Sequence, residues 1–194
     1  KNGEHVLLKT VNIKSPHNGR QINIMLDGCS THTIIQEKIL PWLNTKFVAS
    51  SSLIVENLHG EEEYPVSRME VELPQVDGKN VIIKAYAVNQ NFPVMVPNKN
   101  LVQELWPNLD PTMKNEIFQN AYKGETHIII GQYNYWAVID NSSGLENLIS
   151  HKNNKSGLLR TKFGWSVSGN LTDDSGWPRL CQFIPSKRLV ACKK

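Results

Sequence analysis

The chain has 194 residues, of which 40% are hydrophobic and 20% charged, and its formal net charge is +3. This composition is typical of a folded domain and excludes an intrinsically disordered chain. The small and scattered charge argues against a nucleic-acid partner, and no stretch approaches the roughly 18 apolar residues of a membrane span.

Strands dominate the first half of the predicted secondary structure. The apolar and β-branched residues of 5–13 predict one strand, and after the turn residues Asn18 and Gly19 a second strand is predicted at 21–26. A short helical piece should end near Leu43. Further strands are predicted at 53–56, 64–73 and 80–88, the last two joined by a hairpin turn at Asp77 and Gly78. This pattern indicates an all-β fold with a few short helices.

The middle of the chain carries a predicted helical insertion at about residues 89–125. Asp110 and Pro111 are typical of a helix N-cap followed by proline in the first turn, with a helix through about Ala121. Beyond the insertion we predict strands at 127–130, 135–139 and 158–163 and a short helix at 145–151. We therefore expect one domain over residues 1–170 and a C-terminal extension over 171–194.

Two motifs have the potential to carry chemistry. An apolar strand over residues 22–26 delivers Asp27 into a turn of small residues, Gly28, Cys29 and Ser30. A carboxylate at the end of a buried strand is costly to desolvate, so it needs a partner, a metal or a catalytic role. The second motif is the apolar run Ile128-Ile129-Ile130, which stops at Gly131. Either motif alone is equally compatible with plain core architecture.

In this order the two motifs resemble the retropepsins, aspartic proteases in which a strand ends in Asp-Thr-Gly or Asp-Ser-Gly and a later apolar strand ending in Gly passes beside that turn. Three further segments resemble the Bel/Pao group of LTR retrotransposons. Residues 6–10 are similar to its opening strand, residues 130–136 to its Ile-Gly-x-Asp-x-Tyr segment, and residues 161–169 to its Thr-x-Leu-Gly-Trp-x-x-x-Gly close. The likeness spans roughly residues 5 to 170.

The resemblance implies a retropepsin-like closed barrel and an endopeptidase that processes a retroelement polyprotein. Asp27 would be the catalytic aspartate, and since only one good site is present per chain, a homodimer would supply the second. The flap would comprise Leu58, His59, Gly60 and Glu61, and the buttress of the catalytic turn Ile129, Ile130 and Gly131. The resemblance implies no cofactor or metal. The ligand would be a peptide or polyprotein, and the protein would be located in the cytoplasm, including retroelement particles. Because the chain begins without Met or a signal-peptide core, we expect it to be excised from a larger polypeptide.

The catalytic turn departs from the family pattern. The family has Ser or Thr after the aspartate and then Gly, whereas this chain has Gly28 and Cys29. The missing hydroxyl normally bonds across the dimer, and Cys29 adds a side chain where the family has none. A degenerate or domesticated pseudoprotease that binds peptides or dimerises is therefore the alternative function. Two minor alternatives are a thiol nucleophile, Cys29 with His32, and a monomer that pairs Asp27 with Asp174 of a second Asp-Ser-Gly.

Overall fold

A computed structural model gives the elements in chain order. The structure describes these parts of the chain: residues 6–7, 9–57, 60–92, 94–95, 103, 106–122, 124–141, 148–150, 156–170 and 188–191. Numbered along the chain, the strands are β1 (Val6–Leu7), β2 (Thr10–Lys14), β3 (Gln21–Leu26), β4 (Ile34–Gln36), β5 (Asn44–Asn57), β6 (Gly60–Pro74), β7 (Asn80–Val88), β8 (Val94–Met95), β9 (Gly124–Glu125), β10 (Ile128–Ile130), β11 (Leu148–Ser150), β12 (Ser156–Thr161), β13 (Gly164–Asn170) and β14 (Arg188–Ala191). The helices are a 3-10 helix (Glu37–Trp42), α1 (Pro111–Asn120) and α2 (Gln132–Val138).

The largest sheet has eight strands in the order β14-β5-β6-β7-β4-β10-β3-β2, and a second sheet has the order β1-β13-β12-β11. Strand β8 pairs with β9 in a small separate sheet. The all-β class is confirmed, because strands dominate and helices are few. The closed barrel is not found: within the described residues the large sheet has a linear order, with β14 and β2 at its two edges.

The strand β10 lies between β3 and β4, and this arrangement positions the candidate site. It runs parallel to β3, with Leu26 opposite Ile130, and antiparallel to β4, with Ile129 opposite Ile34. Strand β3 ends where Asp27 follows, and β10 ends where Gly131 follows. Because parallel strands end at the same edge of a sheet, the two motifs predicted from the sequence emerge side by side.

Local patterns predicted several elements at the correct residues. Strands β3 and β7 have the predicted bounds, and β2 pairs with β3 as the expected opening hairpin. Asp110 caps α1 by accepting hydrogen bonds from the N–H groups of Thr112 and Met113. The turn between β6 and β7 contains Gly78 at φ 81°, a left-handed conformation that favours glycine. These preferences act over a few neighbouring residues, so tertiary packing does not change the elements that they predict.

Other predictions were wrong. Residues 135–139 were predicted as a strand but lie mainly in helix α2, whose buried residues Asn134, Tyr135 and Val138 have helical spacing. The aromatic and β-branched residues misled the prediction, because tertiary packing overrides propensity in a short segment. A helix was predicted at 145–151, but residues 148–150 form β11 against β12. The single strand predicted at 5–13 is divided between β1 and β2, which belong to different sheets.

The core lies on both faces of the large sheet. On one face, Ile24, Leu26 and Ile130 pack with residues of β2, β6 and β7 in the main cluster. On the other face a second cluster, here called the hairpin-side cluster, comprises Met25, Leu53, Val66, Val88, Phe92, Tyr122 and Ile129. Alternate residues of β3 and β10 enter different clusters because side chains alternate across a strand. The strand that carries Asp27 is therefore held firmly on both sides.

The predicted insertion packs on the protein through helix α1. Ile117 of α1 is 1% exposed and joins Leu158, Trp165 and Val167 of the four-stranded sheet. Asn120 at the end of α1 donates to the carbonyl oxygen of Trp165 at 2.8 Å. The same side chain accepts from the N–H of Asn12 at 3.0 Å. Helix α1 thus connects the two sheets.

Candidate active site

Asp27 begins a tight turn at the end of β3. Its N–H donates to the carbonyl oxygen of Ile130 at 2.9 Å, which extends the pairing of β3 with β10 by one residue. Its Oδ1 accepts from the N–H of Cys29 at 3.0 Å, and its carbonyl oxygen accepts from the N–H of Ser30 at 3.2 Å. The residue is partly exposed. The backbone therefore fixes the position of the carboxylate while one side of it stays accessible.

The predicted buttress lies directly against the Asp27 loop, defined as residues 27–33. Ile129 and Ile130 are 8% and 0% exposed. A Cβ atom on Gly131 would lie 2.2 Å from the carbonyl oxygen of His32 and 2.7 Å from that of Ser30. Any larger residue would therefore displace the loop backbone. Glycine is required here by the close approach of two backbone segments and not by its own φ angle.

The first residues of α2 hold the same loop through their N–H groups. Gln132 donates to the carbonyl oxygen of Ser30 at 2.7 Å, and Tyr133 donates to that of Thr31 at 3.2 Å. These are N–H groups of the first helical turn, which have no acceptor within the helix. The loop thus supplies carbonyl acceptors to the helix start, and the helix start fixes the loop.

Thr33 and Asn134 form a buried polar link that the sequence analysis missed. The Thr33 hydroxyl accepts from the N–H of Gly131 at 3.1 Å and from Nδ2 of Asn134 at 2.8 Å. Nδ2 of Asn134 also donates to the carbonyl oxygen of Lys84 at 2.7 Å, which connects the link to β7. Thr33 directly precedes β4 and Asn134 lies in the first turn of α2, 101 residues apart in the chain, so no local sequence pattern could link them.

The predicted flap coincides with the end of a long hairpin. Gly60 pairs with Asn57, and Glu61 with Glu56, in the β5–β6 ladder, while Leu58 and His59 fall outside the described residues. Leu53 and Val66 of this hairpin pack with Met25 and Ile129 in the hairpin-side cluster. The hairpin therefore lies over the strands that carry Asp27 and the buttress.

The insertion also contributes to this face of the sheet. Phe92 and Tyr122 belong to the hairpin-side cluster and are 8% and 4% exposed. Burial raises the pKa of Tyr122 to about 12, and its hydroxyl shares a hydrogen bond of 3.1 Å with that of Thr126. The tyrosine is therefore neutral at any physiological pH and serves as an apolar wall with one satisfied polar end.

The thiol alternative lacks its base in this geometry. Cys29 is an exposed free cysteine. The ring of His32 instead makes an edge contact with Tyr86, with 5.2 Å between ring centroids, and burial lowers the pKa of His32. In the part of the chain that the structure describes, no hydrogen bond joins His32 to the Cys29 sulfur. Asp174, the partner in the single-chain alternative, lies outside the described residues.

The described residues also bear on metal sites and membrane spans. No group of three or more His, Cys, Asp or Glu side chains is placed so that it would hold a metal ion. No described helix has the length and apolar character needed to cross a membrane.

Comparisons with known proteins were made at three levels. A scan against protein-family models, a search of curated proteins and a search of solved structures all found no match to this chain. The function is therefore inferred from the residues of the site itself.

Proposed function

We propose that this chain is a retropepsin-like aspartic endopeptidase of the Bel/Pao type that processes a retroelement polyprotein. One observation carries the proposal: Asp27 leaves β3 in a turn that is held against Gly131 at the end of the neighbouring parallel strand. A rigid strand that aims a partly exposed carboxylate, with an apolar strand ending in glycine behind it, is the arrangement that the resemblance implies. We place the activity in the cytoplasm and in retroelement particles.

The reaction requires two aspartates, so the active form is a homodimer with Asp27 from each subunit at a two-fold axis. Two carboxylates about 3 Å apart cannot both ionise, so the pair shares one proton and titrates as a unit. The ionised member takes a proton from the attacking water, and the protonated member donates to the scissile carbonyl oxygen. The water oxygen bonds to the carbonyl carbon to give a tetrahedral gem-diol. The carboxyl that took the water proton passes it to the amide nitrogen, a gem-diol hydroxyl returns a proton to the other carboxylate, and the C–N bond breaks to release an amine and a carboxylic acid.

The β5–β6 hairpin is assigned the role of the flap. Its apolar residues Leu53 and Val66 pack beside the strand that leads to Asp27. A flap over the peptide would exclude bulk water from the carboxylate pair and strengthen the electrostatic interactions there.

The test compares two Asp-Gly sites of the same chain. Asp27→Asn should abolish cleavage of a peptide library at mildly acid pH, because an amide neither ionises nor shares a proton, and sedimentation should show the dimer intact. Asp77→Asn is the matched control, since Asp77 also precedes glycine but lies in an exposed hairpin turn, where its side chain accepts from the N–H of Lys79. Full activity of the Asp27→Asn protein would refute the catalytic assignment.

The second candidate function is a pseudoprotease that retains the dimer and the peptide cleft. It is favoured by the turn itself, because Gly28 offers no hydroxyl to bond across the dimer and the exposed Cys29 occupies the family's glycine position. Peptide binding and dimerisation by the wild type without any cleavage would support it. Cleavage that survives Asp27→Asn but is lost in Cys29→Ser would instead support a thiol nucleophile.

A further inference from the structure

A groove of about 280 Å³ lies beside the Asp27 loop, between that loop and strands β6 and β7. Its walls include His32 and Thr33 of the loop, Tyr133 of α2, and side chains of the two strands. His32 and Thr33 belong to the Asp27 loop, so one wall of the groove is formed by the loop that begins with the candidate catalytic residue.

The wall of the groove nearest the loop is aromatic. Tyr86 is half-buried and meets the ring of His32 edge-on, while Tyr133 is 68% exposed at the rim. Burial lowers the pKa of His32, so at neutral pH its imidazole is an uncharged ring. Such a surface offers apolar area and hydroxyl groups to an extended peptide without adding charge on that side.

Strands β6 and β7 also give the groove a basic wall. The strand register aligns Lys46, Glu70 and Lys84 across β5, β6 and β7, and places Arg68 opposite Tyr86. Glu70 forms an ion pair with Lys46 at 3.4 Å. Among the described residues neither Arg68 nor Lys84 has an ion-pair partner, and both are exposed. Arg68, Lys84 and Glu70 line the groove, and the one anion among them is paired with Lys46 outside the lining, so this wall has an excess of positive charge.

The backbone of Lys84 is held in place by two hydrogen bonds to the side chain of Asn134. The carbonyl oxygen of Lys84 accepts from Nδ2 of Asn134 at 2.7 Å, and its N–H donates to Oδ1 of the same residue at 3.3 Å. Asn134 is bound to Thr33 of the Asp27 loop. The basic wall is therefore connected rigidly to the loop that carries the candidate catalytic residue.

We infer that this groove is an outer subsite of the peptide cleft that binds an acidic side chain of an extended substrate. The inference rests on the proposed peptide cleft and adds its charge preference. The guanidinium of Arg68 is suited to a bidentate contact with a carboxylate, and Lys84 supplies a second donor and a point charge. The aromatic wall accommodates the methylene groups and backbone that precede the carboxylate.

The experiment measures binding, so that it does not depend on catalysis. Full-length Asp27→Asn protein is titrated with pools of short fluorescent peptides in which one position at a time is fixed as Glu or as Gln. At one position the Glu pool should bind about tenfold more tightly than the Gln pool, an effect expected of a charge-assisted contact at low salt. The preference should weaken as salt is added, because both cations are exposed.

Two variants assign the effect to the groove. Arg68→Gln with Lys84→Gln should reduce the Glu preference to about twofold or less, and reversal of both charges to Glu should make the protein prefer Lys at that position. Lys14→Gln with Lys79→Gln is the matched control, since it removes the same charge from the end of β2 and from the β6–β7 turn. Unchanged thermal unfolding would verify that the exposed substitutions leave the fold intact.

The outcomes separate this inference from the proposed activity. A Glu preference that persists in the groove variant, an equal loss in the control, or no binding of either pool would overturn the inference. Cleavage by the wild type without any acidic preference would overturn it while supporting the protease. A Glu preference that depends on Arg68 and Lys84, in a wild type that never cleaves, would support the groove and contradict the protease.

Discussion

Replacing Gly131 with alanine would place a methyl group against the backbone of the Asp27 loop. The added Cβ atom would lie 2.2 Å from the carbonyl oxygen of His32 and 2.6 Å from its carbonyl carbon. Ordinary van der Waals contact begins near 3.4 Å. To reach 3.4 Å from the added Cβ atom, the carbonyl oxygen of His32, now at 2.2 Å, would have to move away by about 1.2 Å.

The cost follows from the groups that this retreat separates. Forcing one extra methyl group into a packed region costs about 1–3 kcal/mol. The same movement strains the hydrogen bonds from Gln132 to Ser30 and from Tyr133 to Thr31, each contributing about 1 kcal/mol. We therefore expect Gly131→Ala to lower the free energy of unfolding by about 3 kcal/mol or more. If the domain is a protease, a displacement of about 1 Å at Asp27 should also reduce kcat/KM about a hundredfold.

Urea unfolding monitored by tryptophan fluorescence measures the change in stability. Gly28→Ala is the matched control, because a Cβ atom there would meet its nearest neighbours, Gln132 and Tyr135, at 3.8 and 3.9 Å. That variant should remain within about 1 kcal/mol of the wild type. If Gly131→Ala were as stable as Gly28→Ala, the proposed contact between β10 and the loop would be refuted.

Three further predictions concern the same region. A Cβ atom at residue 28 would meet no described neighbour closer than 3.8 Å, so Gly28→Ser adds a hydroxyl without a Cβ clash. If the missing hydroxyl limits catalysis, this variant should raise kcat/KM about tenfold. Unchanged kinetics would show that the missing hydroxyl is not the limiting feature. Thr33→Val should lower the free energy of unfolding in urea by about 2–3 kcal/mol, because the buried donors of Gly131 and Asn134 lose their acceptor. A loss below about 0.5 kcal/mol, which is typical of a surface substitution, would contradict this prediction. Burial lowers the pKa of His127 from its ordinary value of 6.5. The unfolded chain therefore takes up the proton at a higher pH than the folded chain does. The free energy of unfolding should fall as the pH drops from about 6.5 towards the folded-state pKa. His127→Gln should flatten this part of a stability profile between pH 7 and about 5, and an unaltered slope would show that another group is responsible.

Elements with strong local signals were predicted correctly from the sequence. The alternation and β-branched content of β3 and β7 set their bounds. The carboxylate of Asp110 and the ring of Pro111 set the start of α1, because one accepts the free N–H groups and the other already has a helical φ angle. Such preferences act within a few residues, so distant contacts did not change them.

The errors fall where distant contacts decide the structure. Helix α2 looked like a strand because Tyr135, Trp136 and Val138 favour β-structure, yet packing of Tyr135 and Val138 into the main core fixes a helix. Strand β5 was predicted only at 53–56 but begins at Asn44, because pairing with β6 extends it through residues without an apolar alternation. The cross-strand pairs between β5 and β6 stabilise residues whose local sequence does not favour a strand.

The residues alone were enough to predict that two apolar strands end at Asp27 and at Gly131, and that small residues follow the carboxylate. Long-range contacts bring these ends together, join them through Thr33 and Asn134, and place Arg68 and Lys84 beside the same loop. These contacts depend on strand register. Pairing between strands far apart in the chain is selected by burial of both sheet faces together, and no local pattern of residues specifies it.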